Sequence, residues 1–129
     1  MNARHLARAL AVAGLFIVVG AGTAHAQDGD LIQRGKAQFQ HTCAPCHGMG
    51  PGDDGRPMLP GSQSLQFKYK GSLSAFLERR SDLPYEVLRV YVRRGSWSMP
   101  GFRKTEVTDA DVRAIAAYLA DSAKQGAAH

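Results

Sequence analysis

Apolar positions recur along this chain at helical spacing in three stretches. Between Asp30 and about Thr42, Leu31, Gly35, Gln38 and Phe39 fall on neighbouring helical positions. Gly35 inside a helix costs about 1 kcal/mol relative to alanine. That cost makes sense where a second helix crosses too closely for a β-carbon. Pro84 to Arg94 predicts another helix. Ser81-Asp82 is its polar cap, Pro84 opens its first turn, Leu83, Val87, Leu88 and Tyr91 turn inward, and Gly95 stops it. The last helix carries the clearest signals. Thr108 is a good N-cap, with Asp111 three residues on, and Val107 and Val112 can close a hydrophobic staple. Asp109 and Asp111 suit the positive end of that helix. Val112, Ile115, Ala116 and Leu119 form its apolar stripe, with Tyr118 at the margin. The natural partner for that stripe is the Gly35/Phe39 face of the first helix. Leu73 to Arg79 predicts a short helix, residues 62–71 read as loop, and the tail from Ser122 to His129 reads as frayed. The pattern predicts an all-α fold of a few helices.

A different kind of hydrophobic stretch stands at the start. Arg4 and Arg8 precede an apolar run from Ala9 to Gly22, and Ala24-His25-Ala26 supplies a small-residue cleavage pattern. This predicts a secretory signal peptide over residues 1–26, cut after Ala26. The rival is an uncleaved anchor, for which the strongly apolar part is short of the roughly 20 residues a span needs. The domain is then residues 27–129, with no stable membrane insertion expected after cleavage and the periplasm as address. The 129-residue length allows one domain. Without Arg4 and Arg8 the formal charge falls from +5 to +3. That mildly basic balance suits docking to an acidic protein. No basic face interleaved with stacking aromatics points to nucleic acid.

The chemistry concentrates in Cys43-Ala44-Pro45-Cys46-His47, which holds both cysteines of the chain. Two thiols one helical turn apart, followed directly by histidine, are what covalent haem attachment needs. Cys43 and Cys46 would form thioether bonds and His47 would carry its imidazole to the iron as axial ligand. Three other readings use the same residues. A structural zinc site needs four protein ligands, and no second ligand pair is visible. A thiol-disulfide redox centre normally follows a strand in a βαβ setting, and no strand-like run precedes Cys43. A disulfide across two intervening residues closes too small a loop to stabilise much.

Two further stretches bear on the haem reading. Gly48 to Gly55 is a glycine-rich loop that lacks the Lys-Ser/Thr pair of a phosphate loop. After it stands Pro57-Met58-Leu59-Pro60-Gly61. The carbonyl of Pro57 is free to accept from the second ring nitrogen of an axial histidine. Met99 lies 52 residues beyond His47, and Pro100 holds it extended. Its thioether is a soft ligand that favours ferrous iron. Met49 is too close to His47 to reach the opposite ring face; Met58 is possible but sits where the histidine needs support. Met99 is therefore the candidate sixth ligand, with core filler as the bland alternative. Trp97 would pack on the haem edge or reach a propionate, or else serve an exposed interface. Lys68 and Tyr69 could meet a propionate or simply form solvated surface. Arg89 and Arg93 share one helix face, either solvated or docking.

On these residues the chain resembles the class I cytochrome c family: Gly35, Phe39, the Cys43–His47 motif, Pro57, Leu59, Met99-Pro100 and the final helix with Tyr118. The resemblance implies one covalently bound haem c with its iron, ligated by His47 and Met99. It implies that Pro57 orients the histidine and Leu59 packs on the ring. It also implies crossed first and last helices at Gly35, Phe39 and Tyr118. Arg80-Ser81-Asp82-Leu83-Pro84 and Met99 to Glu106 look like the cytochrome subunits of flavocytochromes that oxidise 4-alkylphenols. That likeness implies a flavoprotein dehydrogenase subunit as electron donor and a second carrier or oxidase as acceptor. The rival is a free soluble mono-haem carrier; the distant rival is a thiol-disulfide oxidoreductase. A haem enzyme would need an open sixth position, against which Met99 argues.

Overall fold

The computed structural model describes the backbone of residues 22–127 and the side chains of residues 27–127. The predicted leader falls outside these residues, apart from the backbone of Gly22–Ala26. The chain divides into two units, Met1–Asp30 and Leu31–His129. The first contributes only the opening turns of helix α1 to the described residues.

The elements are α1 (Gly22–Thr42), α2 (Ala44–His47), α3 (Pro60–Tyr69), a 3-10 turn (Leu77–Arg79), α4 (Tyr85–Arg94) and α5 (Asp109–Ala127). The only β-type pairing among the described residues is an isolated bridge between Ser96 and Met99. The all-α expectation therefore holds. None of these helices is long and apolar enough to cross a membrane.

The core of the second unit forms where α1, α4 and α5 meet. Phe39, Leu83, Leu88, Val92, Val107, Val112, Ile115, Tyr118 and Leu119 are its buried members. A fully buried side chain of the Phe39 or Leu119 kind contributes about 2–3 kcal/mol relative to exposure. Gly35 is the crossing point. A β-carbon there would run into the Ala114 carbonyl and lie 2.9 Å from Tyr118 Cβ. Beside it the Phe39 and Tyr118 rings meet at 5.5 Å between centroids, tilted by 50°. The Tyr118 hydroxyl donates to Glu78, tying the 3-10 turn to α5. Burial, and then the Glu78 carboxylate, push the Tyr118 hydroxyl well above its ordinary pKa.

The cap of α5 forms as predicted. Asp111 N–H donates to Thr108 Oγ1 at 3.1 Å, and Thr108 N–H donates back to Asp111 Oδ2 at 2.9 Å. Val107 and Val112 are both buried. The helix does not fray at Ser122 but continues to Ala127, with Gln125 Nε2 donating to Asp121 Oδ2 at 2.6 Å one turn back.

Four expectations need correction. The first helix is already formed at Gly22 rather than starting at Asp30, and no proline interrupts the intervening stretch. Residues 62–71, read as loop, are mostly helix α3. Pro60 starts it, Lys70 ends it in the left-handed region at φ 50°, and its apolar residues Leu65, Phe67 and Tyr69 recur every second position, which hides the helical period. The short helix expected from Leu73 shrinks to one 3-10 turn. Ser72 Oγ donates to the Tyr69 carbonyl at 2.7 Å and Ser74 Oγ accepts from Phe76 N–H at 3.1 Å, so these serines engage backbone groups locally. Ser81-Asp82 does not cap α4. Asp82 is bound by Arg80 instead, Pro84 takes the N-cap place, and the buried face is Leu88 and Val92 while Val87 and Tyr91 stay exposed.

Gly35→Ala gains about 1 kcal/mol of helix propensity and should still destabilise the protein by about 1–3 kcal/mol through overpacking. Urea unfolding of the two proteins reads this directly; a stabilised variant would contradict the close crossing.

Candidate functional site

Helix α2 is a single turn hung on the end of α1. Cys43 N–H donates to the Phe39 carbonyl at 2.8 Å, so α2 is referenced to the largest fully buried side chain of the core. The Cys43 carbonyl then accepts from Cys46 N–H at 3.1 Å and from His47 N–H at 2.8 Å. Pro45, in the first turn, lacks an N–H that would have no partner there. The two thiols and the imidazole thus sit on one turn, at positions 43, 46 and 47. Cys43 is half-buried and Cys46 exposed, and the two are not joined to each other by a disulfide.

Helix α3 closes over the other side of α2. Ser62, fully buried, donates from Oγ to the Gly48 carbonyl at 3.2 Å. A β-carbon on Gly61 would lie 2.7 Å from His47 Cε1, 2.8 Å from His47 Nδ1 and 2.7 Å from the Cys46 carbonyl. Only glycine leaves room for the imidazole there. The loop between the two helices folds on itself, with Gly52 N–H donating to the Arg56 carbonyl at 2.9 Å. Arg56 pairs with Asp54 at 3.0 Å and reaches Gln63 Oε1 on α3 at 3.1 Å.

His47 is half-buried, and burial lowers its pKa below the ordinary imidazole value. The ring is neutral, with a lone pair to offer. Its Nδ1 is buried without a hydrogen-bond partner. The bond expected from this ring to the carbonyl of Pro57 is therefore not made. Pro57 is exposed, and the ring edge rests on Gly61 instead. Leu59 is half-buried at the N-cap of α3.

Met99 and Trp97 occupy a separate feature. Ser96 and Met99 exchange two backbone bonds, 3.0 Å from Ser96 N–H and 2.9 Å from Met99 N–H, closing a tight turn over Trp97-Ser98. Met99 is half-buried, whereas Trp97 is fully exposed with φ 56°. No hydrogen bond joins this turn to α2 or α3 among the described residues. The site residues so fall in two groups: Cys43, Cys46, His47 and Leu59 around α2 and α3, and Trp97 with Met99 on the later turn.

Two partners escaped the sequence reading. Gly61 showed only as one glycine among many. Arg80 is buried, with a bidentate grip on Asp82 at 2.9 and 2.5 Å and its guanidinium 4.9 Å over the Tyr69 ring. The Arg-x-Asp spacing was its available signal. Lys68 is exposed, its ammonium over the Tyr69 and Tyr91 rings at 5.2 and 5.8 Å.

The donor chemistry separates the rival readings. Burial, and then the neighbouring Cys46, push the Cys43 thiol up to about 11. A reactive redox cysteine needs a depressed pKa, so this site is poorly made for thiol exchange. No three of His, Cys, Asp and Glu come together around a possible metal position among the described residues, which leaves a closed zinc site without its donors. A thiol pair on one turn, a neutral imidazole and a glycine seat beneath it fit a covalently attached haem.

An all-helical body carrying this motif defines a class I c-type cytochrome. Residues 30–119 match the family described as cytochrome C oxidase, cbb3-type, subunit III, and the chain belongs to that family. It is also similar to cytochrome c6 of Synechocystis sp., 30% identical over 95 residues, covering 74% of this chain and 68% of the relative. No solved structure matches it. Membership brings a covalently bound haem c with its iron, and the role of an electron carrier rather than an enzyme.

Gly61→Ala should displace the His47 ring and alter the visible ligand-field spectrum of the holoprotein. Gly126→Ala, where a β-carbon would meet nothing within 4 Å, should leave it unchanged. Identical spectra for wild type and Gly61→Ala would contradict the seat described for His47.

Proposed function

We propose that this protein is a periplasmic one-electron carrier in which Cys43 and Cys46 hold the haem through thioether bonds and His47 and Met99 ligate its iron. The observation that carries this reading is α2 itself, which sets both thiols and a neutral imidazole on one turn against Gly61. When bound, the haem supplies the ferric/ferrous couple. His47 has Nδ1 enclosed in protein, which leaves Nε2 as the nitrogen for iron. Met99 supplies a soft thioether that favours the ferrous state and raises the potential. Leu59, half-buried at the N-cap of α3, is the side chain proposed to pack on the ring. Pro57 and Trp97 are both exposed; a contact with the haem edge or a propionate is proposed for Trp97, and His47 Nδ1 makes no bond to the Pro57 carbonyl.

The proposed donor is a flavoprotein dehydrogenase acting on a phenolic substrate, and the proposed acceptor a second carrier or an oxidase. The likeness of Arg80–Pro84 and of Met99–Glu106 to flavocytochrome subunits supports the donor, as does the mildly basic balance of residues 27–129. The predicted leader supports the address.

One purification from the protein's own cells tests both halves, with visible spectra before and after dithionite for wild type and Met99→Ala. Haem bands that sharpen on reduction, accompanied by flavin at a fixed ratio, are expected. Met99→Ala should take up cyanide or carbon monoxide far more readily than wild type. Haem without flavin would overturn the dedicated flavoprotein donor. A Met99→Ala protein as closed to these ligands as wild type would overturn the ligand assignment.

A further inference from the structure

The segment that carries Met99 spans residues 95–108, between the end of α4 and the start of α5. Its base is tied down at several points. Phe102 N–H donates to the Val92 carbonyl at 2.7 Å. Gly101 lies so close to α4 that a β-carbon would sit 2.7 Å from the Arg93 carbonyl oxygen. The Arg93 side chain then closes the arrangement. Its Nη1 donates to the Phe102 carbonyl at 3.2 Å and its Nη2 to Asp109 Oδ1 at 2.7 Å. Asp109 Oδ2 takes Lys104 Nζ, from the loop itself, at 2.9 Å. One guanidinium therefore joins α4, the loop and the first residue of α5, gripping the chain three and ten residues beyond Met99.

Two features mark this as more than a surface ion pair. The side chains are 17% exposed for Arg93 and 29% for Asp109, against 66% for Lys104, so the Arg93 arm is the one shielded from solvent. Arg93 also keeps its place although its Nε is buried with no partner. A buried unpaired donor is costly, so strong bonds elsewhere on the guanidinium must hold it. The carboxylate registers the same grip: Arg93, and then Lys104, hold Asp109 down to about 2.

We infer that Arg93 is a positioning residue, clamping the base of the loop through Phe102 and Asp109 so that Met99 stays on the iron. This rests on the reading of Met99 as sixth ligand. A loop free to swing carries Met99 off the iron part of the time. An added ligand then binds with an apparent affinity that scales with that open fraction. The clamp keeps the fraction small and leaves the haem attachment at Cys43 and Cys46 untouched.

The test is titration of the ferric holoprotein with imidazole at neutral pH, followed by the weak long-wavelength band of a sulfur-to-iron bond. Asp109→Asn keeps the side-chain size and removes the charge. Arg93→Lys keeps the charge but cannot span both acceptors. Each should raise the apparent imidazole affinity about tenfold, the effect of losing one charge-assisted hydrogen bond. The double variant should exceed the singles by no more than about twofold, because both remove one interaction. Arg34→Gln removes the Arg34–Asp111 pair that joins α1 to α5 at 2.8 Å. It should weaken the fold and leave imidazole affinity within about twofold of wild type. If both clamp variants bind imidazole as wild type does, while wild type shows the sulfur band, the clamp is overturned and Met99 stands. The same tenfold rise in Arg34→Gln would reduce the effect to general loosening and also overturn it. A wild type without the sulfur band removes the Met99 reading and the clamp with it.

Discussion

The backbone carbonyl of Phe39 holds the functional turn in place. It accepts from Cys43 N–H at 2.8 Å, while the ring of the same residue packs on Tyr118 with 1% of its surface exposed. One residue thus links the packing of α1 against α5 to the position of the two thiols. The crossing is close only because Gly35 lacks a β-carbon. Removing that closeness would shift Phe39, and with it the turn that carries Cys43, Cys46 and His47. Stability and site geometry share one contact, so the largest fully buried side chain lies four residues before the motif.

The turn that carries His47 and the loop that carries Met99, the proposed sixth ligand, are held by different physics. His47 is held by exclusion: Gly61 leaves room, Ser62 fastens α3 to the Gly48 carbonyl, and burial keeps the imidazole neutral. Met99 is held by charge. Its turn has its own pair of backbone bonds, but the loop below it is anchored by Arg93, Asp109 and Lys104. Packing is insensitive to salt, whereas partly exposed ion pairs are screened by it. The turn that carries His47 is accordingly the less salt-sensitive of the two.

Sequence made the fold legible wherever a signal was local. The Thr108/Asp111 cap, the Val107/Val112 staple, the Gly95 stop and the Gly35 crossing all follow from chemistry within a few residues, and the structure contains each. Helix α3 was illegible because its apolar residues alternate, so nothing in the pattern announced a helical face. Arg80 was missed because charge in a sequence reads as surface, and only the folded chain shows it buried on Tyr69 and paired with Asp82. Within the site, Cys43, Cys46 and His47 were legible as a contiguous motif. Gly61 was not, because its role depends on α3 returning over α2. For Trp97 the sequence left haem packing and an exposed interface both open, since a side chain's surroundings lie outside any local pattern; the folded chain leaves it exposed.

The claim on which everything else rests is that Cys43 and Cys46 bond covalently to haem. The direct measurement is to unfold the purified protein in acid and extract it with an organic solvent that removes unattached haem. Haem should stay with the polypeptide in the wild type, and a variant with both Cys43→Ser and Cys46→Ser should release it or hold none. Haem that leaves the wild-type chain, or a wild-type chain with two titratable thiols and no haem, would contradict the account.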